Sequence, residues 1–215
     1  MTDASLNDAS VESLFADAGA LLDGHFVLKS GRHAGRYLEK FLVLQHPRYG
    51  VELCRRLAEA LAPYQPTLVV GPTTGGVLLS FETARQLGGT VRAAFAEPVE
   101  GGGRALRRGW EVGRDERVAI VDDILTTGAS LVETVDAVRA GGVEPVAAAV
   151  IVDRSTAPVE LGLPLRALGR IEIPSWEADS CPLCADAVPV RKPGSSQAAA
   201  DSSADPGETD LARRL

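Results

Sequence analysis

The chain has little of several residue types, and each scarcity excludes a class of protein. Only three of its 215 residues are lysine, at positions 29, 40 and 192, and only three are cysteine. The formal net charge is −7, so we expect no nucleic-acid partner. Three cysteines are too few for a disulfide framework and indicate a reducing compartment, which predicts a cytoplasmic protein.

Long apolar runs are also missing. No stretch approaches the length needed to span a membrane, and the N-terminus lacks the basic start and apolar core of a signal peptide, so we expect no membrane association. A chain of this length can form one sizeable core. We therefore predict a flexible N-terminus over residues 1–10, a single domain over 11–190 and a disordered tail over 191–215, which is rich in small and polar residues.

Three helices are predicted from apolar spacing. The first begins at Val11 and continues through Leu21 and Leu22 to Gly24. The second begins at His46-Pro47 and places Val51, Leu53, Cys54, Leu57 and Leu61 inward. The third covers Val77 to Leu87 and buries Leu78, Phe81 and Ala84.

The most informative stretch lies between Arg117 and Ser130. Val118 to Val121 is continuously apolar, which is typical of a strand covered on both faces in a parallel sheet. Asp122 and Asp123 follow at its carboxyl end, the usual binding edge of such a sheet. Because adjacent residues point to opposite sides, their carboxylates can address two neighbouring groups, such as vicinal sugar hydroxyls.

A loop of small residues, Thr126-Thr127-Gly128-Ala129-Ser130, comes next. It leaves backbone N–H groups uncovered at the start of a predicted helix, an arrangement suited to a dianionic phosphate. Ser130 and Glu133 also have the spacing of a helix capping box, so Ser130 has two possible roles. Ordinary strand-end acids and a plain turn are the simpler interpretation of the same residues.

The whole string from Val121 to Ser130 resembles the phosphoribosyl pyrophosphate (PRPP) signature of type I phosphoribosyltransferases. The resemblance implies an α/β fold, with a central parallel sheet flanked by helices and a small hood from about 11–45 and 153–190. It implies that Asp122 and Asp123 hold the ribose hydroxyls and that the following loop holds the 5′-phosphate. The PRPP-binding residues expected on this basis are Lys29, Thr74, Gly75, Asp122, Asp123, Ile124, Leu125, Thr126, Thr127, Gly128, Ala129 and Ser130.

A second match lies near the N-terminus. Phe26 to Arg32, read Phe-Val-Leu-Lys-Ser-Gly-Arg and followed by an aromatic residue, would be a charged surface turn by composition alone. It resembles the N-terminal segment of orotate phosphoribosyltransferases. This resemblance implies that Lys29 contacts both PRPP and the base, and that Tyr37, Leu38 and Thr126 lie near orotate.

The glycine-rich segment Gly71 to Gly76 ends the predicted strand Thr67–Val70. A structural turn and a pyrophosphate loop are both compatible with it, and its position at the same sheet edge favours the loop. Some members of the resembled family carry a lysine here. This chain has Thr74 and Gly75, so backbone and hydroxyl contacts must replace that charge.

A second glycine-rich segment, Gly101 to Gly103, precedes Arg104 and predicts a mobile arm that carries positive charge over an anionic substrate. A disordered surface hairpin is the alternative. In the resembled family this is the flexible catalytic loop, and the position of its lysine is occupied here by Pro98. We take Arg104 as the candidate for the replacement charge, ahead of Arg107 and Arg108.

Arg154 follows the apolar strand Pro145 to Val152. A strand-end Asp153-Arg154 pair is commonly a surface ion pair of little energetic consequence. A right-handed crossover would place Arg154 at the same sheet edge as the acidic pair. In the resembled family an arginine at this point binds the orotate carboxylate, a role suited to bidentate guanidinium pairing.

Cys181-Pro182-Leu183-Cys184 suggests zinc, but a structural zinc site needs four nitrogen or sulfur ligands. A complete site in one chain would need distant histidines or carboxylates. A site shared across a dimer and a redox pair are the other possibilities. We assign no metal ligand to the chain and expect Mg²⁺ to be bound mainly through PRPP and water.

Taken together, the resemblances imply that Mg²⁺-PRPP and orotate react to give orotidine 5′-monophosphate and pyrophosphate, a step of UMP biosynthesis, with Asp122, Asp123 and Arg104 as catalytic residues. They imply a homodimer in which the flexible loop reaches the neighbouring site. Two alternatives share the signature: a phosphoribosyltransferase for another base, and a non-catalytic PRPP-sensing regulator. Such regulators often carry a nucleic-acid-binding surface, which this acidic chain does not indicate.

Overall fold

The structure is a computed structural model that describes residues 6–28 and 30–193. These residues form two compact units. The larger unit contains residues 6–22 and 38–173, and the smaller one contains residues 23–28, 30–37 and 174–193. Lys29, the first five residues of the predicted flexible N-terminus, and the predicted tail from residue 194 onward lie outside the described part.

The strands, in chain order, are β1 (Leu21–Val27), β2 (His33–Leu38), β3 (Leu68–Pro72), β4 (Arg92–Pro98), β5 (Arg104–Leu106), β6 (Val118–Leu125), β7 (Ala147–Asp153), β8 (Leu165–Arg170), β9 (Ser175–Trp176) and β10 (Val190–Arg191). The helices are α1 (Val11–Asp17), α2 (Lys40–Leu44), α3 (Pro47–Leu61), α4 (Gly75–Leu87), α5 (Ala129–Ala140) and α6 (Pro182–Ala185). Short 3₁₀ turns cover Ala62–Tyr64 and Ala178–Ser180. None of the described helices is both long enough and apolar enough to cross a bilayer.

The larger unit is built on a six-stranded sheet in the order β5-β4-β3-β6-β7-β8. All neighbouring strands are parallel except β4 and β5. Asp122 is opposite Val150, and Leu125 is opposite Asp153. The carboxyl ends of β3, β6 and β7 therefore meet at one edge, which places Gly71, the acidic pair and Arg154 there. The expected α/β architecture with a parallel central sheet is confirmed.

Both faces of this sheet are covered, which explains the continuous apolar sequence of its central strands. Val69, Ala119 and Val121 belong to one core cluster, together with residues of α3 and α4. Val70 and Ile120 belong to the other, together with residues of α5. Since neighbouring strand residues alternate between two buried layers, neither face needs polar side chains.

Helix α4 presents a different face to the core from the one predicted. Leu79, Thr83 and Ala84 are buried, whereas Leu78 is 54% exposed and Phe81 is 67% exposed. In α3 the inward positions were predicted correctly except Val51, which is 40% exposed. The outward apolar residues of the two helices line a groove of about 380 Å³, which also contains Leu44, Pro47 and Cys54.

The first helix is shorter than predicted. It is capped by Ser10, whose hydroxyl accepts a hydrogen bond from the Ser13 amide, and it ends at Asp17. Gly19, with φ of +66°, turns the chain, and Leu21 begins β1. The apolar pair Leu21-Leu22 therefore continues the apolar spacing of the helix in sequence but belongs to a strand.

The smaller unit contains most of a four-stranded sheet in the order β10-β1-β2-β9. Strands β1 and β10 are parallel, with His25 opposite Val190, and β2 is antiparallel to β9, with His33 opposite Trp176. Arg32 donates to the hydroxyl and carbonyl oxygens of Ser175, at 2.9 and 2.6 Å. These contacts join chain segments that are about 140 residues apart in the sequence.

Candidate active site

The acidic pair in the second half of β6 is buried. Asp122 is 5% exposed and Asp123 is 4% exposed. Oδ1 of Asp122 accepts a hydrogen bond from the Asp123 amide at 2.8 Å, and Oδ2 accepts one from the Ser130 hydroxyl at 2.6 Å. Oδ1 of Asp123 accepts from the amide of Ile124 at 2.8 Å. Both carboxylates are thus fixed in orientation before any ligand arrives.

The buried position and the adjacent carboxylate shift the pKa of Asp122. Burial raises the pKa of the Asp122 carboxyl, and the adjacent Asp123 carboxylate raises it further, to about 6, against the opposing hydrogen bond from Ser130. Because a hydroxyl donates to an ionised carboxylate, ligands with hydroxyl groups should bind Asp122 best above that pH.

Lys40 is a member of the site that sequence reasoning missed. It is the first residue of α2, and its Nζ lies 3.0 Å from Oδ1 and 2.8 Å from Oδ2 of Asp123. Oδ2 of Asp123 is fully buried, and Lys40 is the cation beside it. The scarcity of lysine was the available signal, but no spacing connects position 40 to position 123.

The loop after β6 is exposed where a phosphate would bind. Thr126, Thr127 and Ala129 are exposed, whereas Leu125 is buried, so Leu125 offers only its backbone. Gly128 has φ of +82° and precedes α5 without a side-chain cap. A Cβ at Gly128 would lie 2.3 Å from Cγ1 of Val159, so glycine is required for both conformation and space.

The predicted capping box in this loop is wrong. The position before α5 is Gly128, and the hydroxyl of Ser130 donates to Asp122 instead of accepting a hydrogen bond from a helix amide. Glu133, the other half of the predicted box, forms an ion pair with Arg104, with 3.2 Å between Oε2 and Nε. Of its two possible roles, Ser130 takes the one at the acidic pair.

The glycine segment between β3 and α4 is tightly closed. A Cβ on Gly71 would lie 2.3 Å from the carbonyl oxygen of Gly76, and one on Gly75 would lie 2.2 Å from Oδ2 of Asp123. The peptide bond between Thr73 and Thr74 is cis. Thr74 is exposed at the start of α4, where its side chain caps no amide. The segment therefore packs directly against the acidic pair.

Arg104 lies in the ordered strand β5 and not in the glycine turn. β4 and β5 form a hairpin in which the amide of Val99 donates to the carbonyl of Gly103 at 3.1 Å. Nη1 of Arg104 lies 3.4 Å from the carbonyl oxygen of Thr73 and 3.1 Å from that of Ala96. Its guanidinium thus adjoins the glycine segment. Arg107 is exposed, and Arg108 pairs with Glu97, which lowers the pKa of that carboxyl.

Arg154 directly follows β7, next to the acidic strand, and its amide donates to the carbonyl of Leu125 at 2.8 Å. The carboxylate of Asp153 accepts hydrogen bonds from Ser155 and from Arg170. Asp153 thus forms an ion pair with Arg170 of the neighbouring strand, a partner other than the Arg154 named in the ion-pair alternative.

Three residues that were expected at the base site are not found at the sheet edge among the described residues. Leu38 is 3% exposed and belongs to the core of the larger unit, so its side chain packs against apolar residues and is not presented to a base. Tyr37 belongs to the smaller unit, where its ring centroid lies 5.7 Å from that of Phe26. Lys29 lies outside the described residues.

Comparisons with known proteins identify relatives over most of the chain. A family model described as a phosphoribosyl transferase domain matches residues 48–161. An orotate phosphoribosyltransferase of Pelotomaculum thermopropionicum is 45% identical over 185 residues, which cover 86% of this chain and 96% of the relative. One of Caldicellulosiruptor saccharolyticus is 44% identical over 190 residues, covering 88% and 98%.

Solved structures agree with these relatives. The orotate phosphoribosyltransferase of Mycobacterium tuberculosis in complex with PRPP superimposes with a TM-score of 0.61 at 27% identity, covering 74% of this chain and 94% of that chain. Its complex with Fe(III) dicitrate gives a TM-score of 0.62 at 26% identity, covering 75% and 95%. The fold, the acidic pair with its loop, and these similarities point to one conclusion. The chain belongs to the orotate phosphoribosyltransferase family, glycosyltransferases of pyrimidine biosynthesis.

Proposed function

We propose that this chain transfers ribose 5-phosphate from PRPP to orotate at the sheet edge formed by β3, β6 and β7, giving orotidine 5′-monophosphate and pyrophosphate. One observation carries the proposal: the buried pair Asp122-Asp123 lies in the second half of β6, the loop of small residues follows that strand, and Arg154 follows the adjacent strand. Parallel strands bring these groups to the same edge.

In this proposal the acidic pair holds the ribose. Asp122 and Asp123 accept hydrogen bonds from its hydroxyls. The backbone N–H groups of Thr126 to Ser130, at the amino end of α5, hold the 5′-phosphate. Lys40 orients the Asp123 carboxylate. The ribose would then be fixed at both ends, with its anomeric carbon open to attack.

The chemistry asked of the protein is mainly electrostatic. Departure of pyrophosphate leaves positive charge on the ribosyl group, which the nearby carboxylates stabilise, and negative charge on the leaving group. Arg104 and Lys29 are proposed to offset that negative charge. Mg²⁺, when bound, supplies further charge neutralisation, and PRPP oxygens and water would hold it in the manner usual for this ion. Asp122 and Asp123 provide hard carboxylate oxygens of the kind that suit a hydrated Mg²⁺.

Arg154 is proposed to select orotate through its carboxylate, because a guanidinium pairs with a carboxylate in a bidentate manner. Pyrophosphate release from PRPP, measured with orotate, uracil, hypoxanthine and adenine in turn, tests the proposal. Orotate alone should support rapid release. Rapid release with another base would indicate the alternative phosphoribosyltransferase, and PRPP binding without release with any base would indicate a sensor.

The same assay tests the assignment of Arg154. Arg154→Ala should lower kcat/KM for orotate by about 100-fold or more, since truncating one partner of a buried charge pair costs about 2–5 kcal/mol. The Kd for PRPP alone should change little. Arg166→Ala, which removes an exposed arginine of β8, is the matched control and should leave both quantities unchanged. If Arg154→Ala weakened PRPP binding by the same factor as it lowered kcat/KM for orotate, the assignment of Arg154 to the base would be wrong.

Arg104 is proposed to supply the charge that the family loop obtains from lysine. Arg104→Ala should lower kcat by about 10- to 100-fold while PRPP binding is mostly retained, because the charge acts on the departing pyrophosphate. Arg104→Lys should restore much of the loss. Arg107→Ala, at an exposed position after the same strand, should have little effect. Turnover that is unchanged in Arg104→Ala would remove this residue from the mechanism.

We also propose a cytoplasmic homodimer, as the family resemblance implies. The apolar groove between α3 and α4, with Val51, Leu78 and Phe81 on its surface, is a face that a second copy of the chain could cover. The three cysteines are free, which is compatible with a reducing compartment.

A further inference from the structure

Four side chains that the proposed reaction does not use meet in the smaller unit. They are His25 of β1, His33 of β2, and Cys181 and Cys184 at α6. One ligand atom from each lies within 4.8 Å of the other three. Two strands and a segment about 150 residues further along the chain therefore converge on a single point.

Three sulfur–nitrogen separations in this cluster are close to those of a tetrahedral zinc site. With Zn–S bonds of about 2.3 Å and Zn–N bonds of about 2.0 Å, neighbouring ligand atoms should lie about 3.3–3.8 Å apart. Sγ of Cys184 lies 3.2 Å from Nδ1 of His33, and Sγ of Cys181 lies 3.5 Å from Nε2 of His25. Nε2 of His25 lies 3.8 Å from Sγ of Cys184 and 2.8 Å from Nδ1 of His33. Small shifts would bring all four atoms onto one ion.

The surroundings of His25 fix the nitrogen that a metal would need. Its Nδ1 lies 2.8 Å from the carbonyl oxygen of Val188, which can only accept a hydrogen bond. Nδ1 therefore carries the proton in the neutral ring, and Nε2, which faces the cluster, presents its lone pair. A hydrogen bond from the ring nitrogen that does not bind the metal is the usual way in which proteins orient a metal-binding histidine.

The described residues of the smaller unit form only a small apolar core. Among its described residues, the buried apolar side chains are Phe26, Ala34 and Cys181 itself. The histidines occupy the remaining buried positions, at 1% and 8% exposure. A unit of this size cannot form a sufficient core from two hydrocarbon side chains, and small units of this kind are commonly held by a metal or by disulfides.

We propose that His25, His33, Cys181 and Cys184 bind one structural Zn²⁺ that joins the hairpin β1–β2 to the C-terminal segment. Thiolate and imidazole ligands favour zinc over magnesium or calcium, and four protein ligands leave no position open for catalysis. The histidines are the distant ligands that the Cys-Pro-Leu-Cys motif required, and they cannot be paired with it by spacing alone. The competing structure is a disulfide between Cys181 and Cys184.

The test uses the full chain without an affinity tag, purified in a reducing buffer free of chelators. Mass spectrometry of the elements should find about one zinc per chain. Replacement by Co²⁺ should give the strong visible absorption of tetrahedral cobalt with a thiolate charge-transfer band. Cys181→Ser with Cys184→Ser should abolish both signals. Cys54→Ser is the matched control, because Cys54 is a buried cysteine of the larger unit, and it should retain them.

Stability provides a second readout that does not depend on activity. Removal of zinc with a strong chelator should lower the Tm of the wild-type chain, and added Zn²⁺ should restore it. Wild-type protein that holds no stoichiometric zinc and shows no tetrahedral cobalt spectrum would overturn the proposal. So would a Cys181–Cys184 disulfide in freshly purified protein, detected as a loss of two of the three titratable thiols.

Discussion

Exchanging Asp122 for asparagine should lower kcat/KM by at least about 100-fold and, at neutral pH, raise the Tm of the protein. Activity falls because a neutral amide neither stabilises a cationic ribosyl group nor accepts two hydroxyl hydrogen bonds as well as a carboxylate does. Stability rises because the buried carboxylate is held beside Asp123 at a cost in free energy. Asparagine keeps an acceptor for the Asp123 amide, and its NH₂ group can donate to Ser130.

The pH dependence follows from the raised pKa. The Asp122 carboxyl has a pKa of about 6 in the folded chain and 3.8 as a free side chain, so the folded state binds the proton more tightly. Stability therefore falls as pH rises from about 4 to about 6, and the penalty is complete above that range. The shift corresponds to about 2–3 kcal/mol, or a Tm change of about 5 °C in a chain of this size.

Differential scanning calorimetry at pH 7.5 and pH 5, together with the pyrophosphate assay, measures both effects. The gain in Tm should be large at pH 7.5 and should shrink at pH 5. Asp136→Asn, at an exposed position on α5, should leave activity and the pH dependence of the Tm unchanged. A gain in Tm of equal size at both pH values would contradict the assignment of the raised pKa to Asp122.

Gly75→Ala should reduce activity by about 100-fold or more and lower the free energy of unfolding by about 1–3 kcal/mol. The added Cβ would lie 2.2 Å from Oδ2 of Asp123, well inside van der Waals contact. Asp123 cannot move freely, because Lys40 and the amide of Ile124 hold its carboxylate. Either the acidic pair or the glycine segment must therefore shift, and each shift displaces a group that we assign to PRPP.

Urea denaturation and the pyrophosphate assay provide the two readouts for this variant. Gly113→Ala is the control, since its Cβ would meet Glu116 at an ordinary 3.5 Å. It should change neither quantity appreciably. Full activity in Gly75→Ala would show that the approach of this glycine to Asp123 is not needed for the reaction.

The central strands and the binding loop could be predicted from sequence because their signals are local. Val118 to Val121 forms the first half of the buried strand β6, which continues through the acidic pair to Leu125, four residues further than predicted. The strands at Leu68 and Ala147 are likewise confirmed within two residues. The carboxyl ends of neighbouring parallel strands lie at the same edge of a sheet, so this placement could be predicted without any side-chain contact.

Predictions failed where a choice between two faces or two partners depends on distant residues. Leu78 and Phe81 have core-forming chemistry, yet α4 packs through Leu79, Thr83 and Ala84. Ser130 has the spacing of a cap, but a carboxylate eight positions earlier takes its hydroxyl. An apolar residue looks the same in sequence whether the fold buries it or exposes it. A Ser with capping spacing likewise looks the same whether or not it caps a helix.

The missed members of the two sites have the same explanation. Lys40 reaches Asp123 across 83 positions, and His25 meets Cys181 across 156. Neither separation follows a period, so only the assembled fold brings these residues together. The contacts of Lys29 and Tyr37 with orotate remain predictions.

The parallel pairing of β1 with β10 has a consequence for synthesis on the ribosome. His25 lies opposite Val190, so the outermost strand of the four-stranded sheet is translated long after its neighbour. The strands of the larger unit, which end at Arg170, can assemble first during translation. Until β10 has been translated, the edge of β1 that pairs with it stays unpaired. Completion of the four-stranded sheet therefore depends on synthesis of the C-terminal segment.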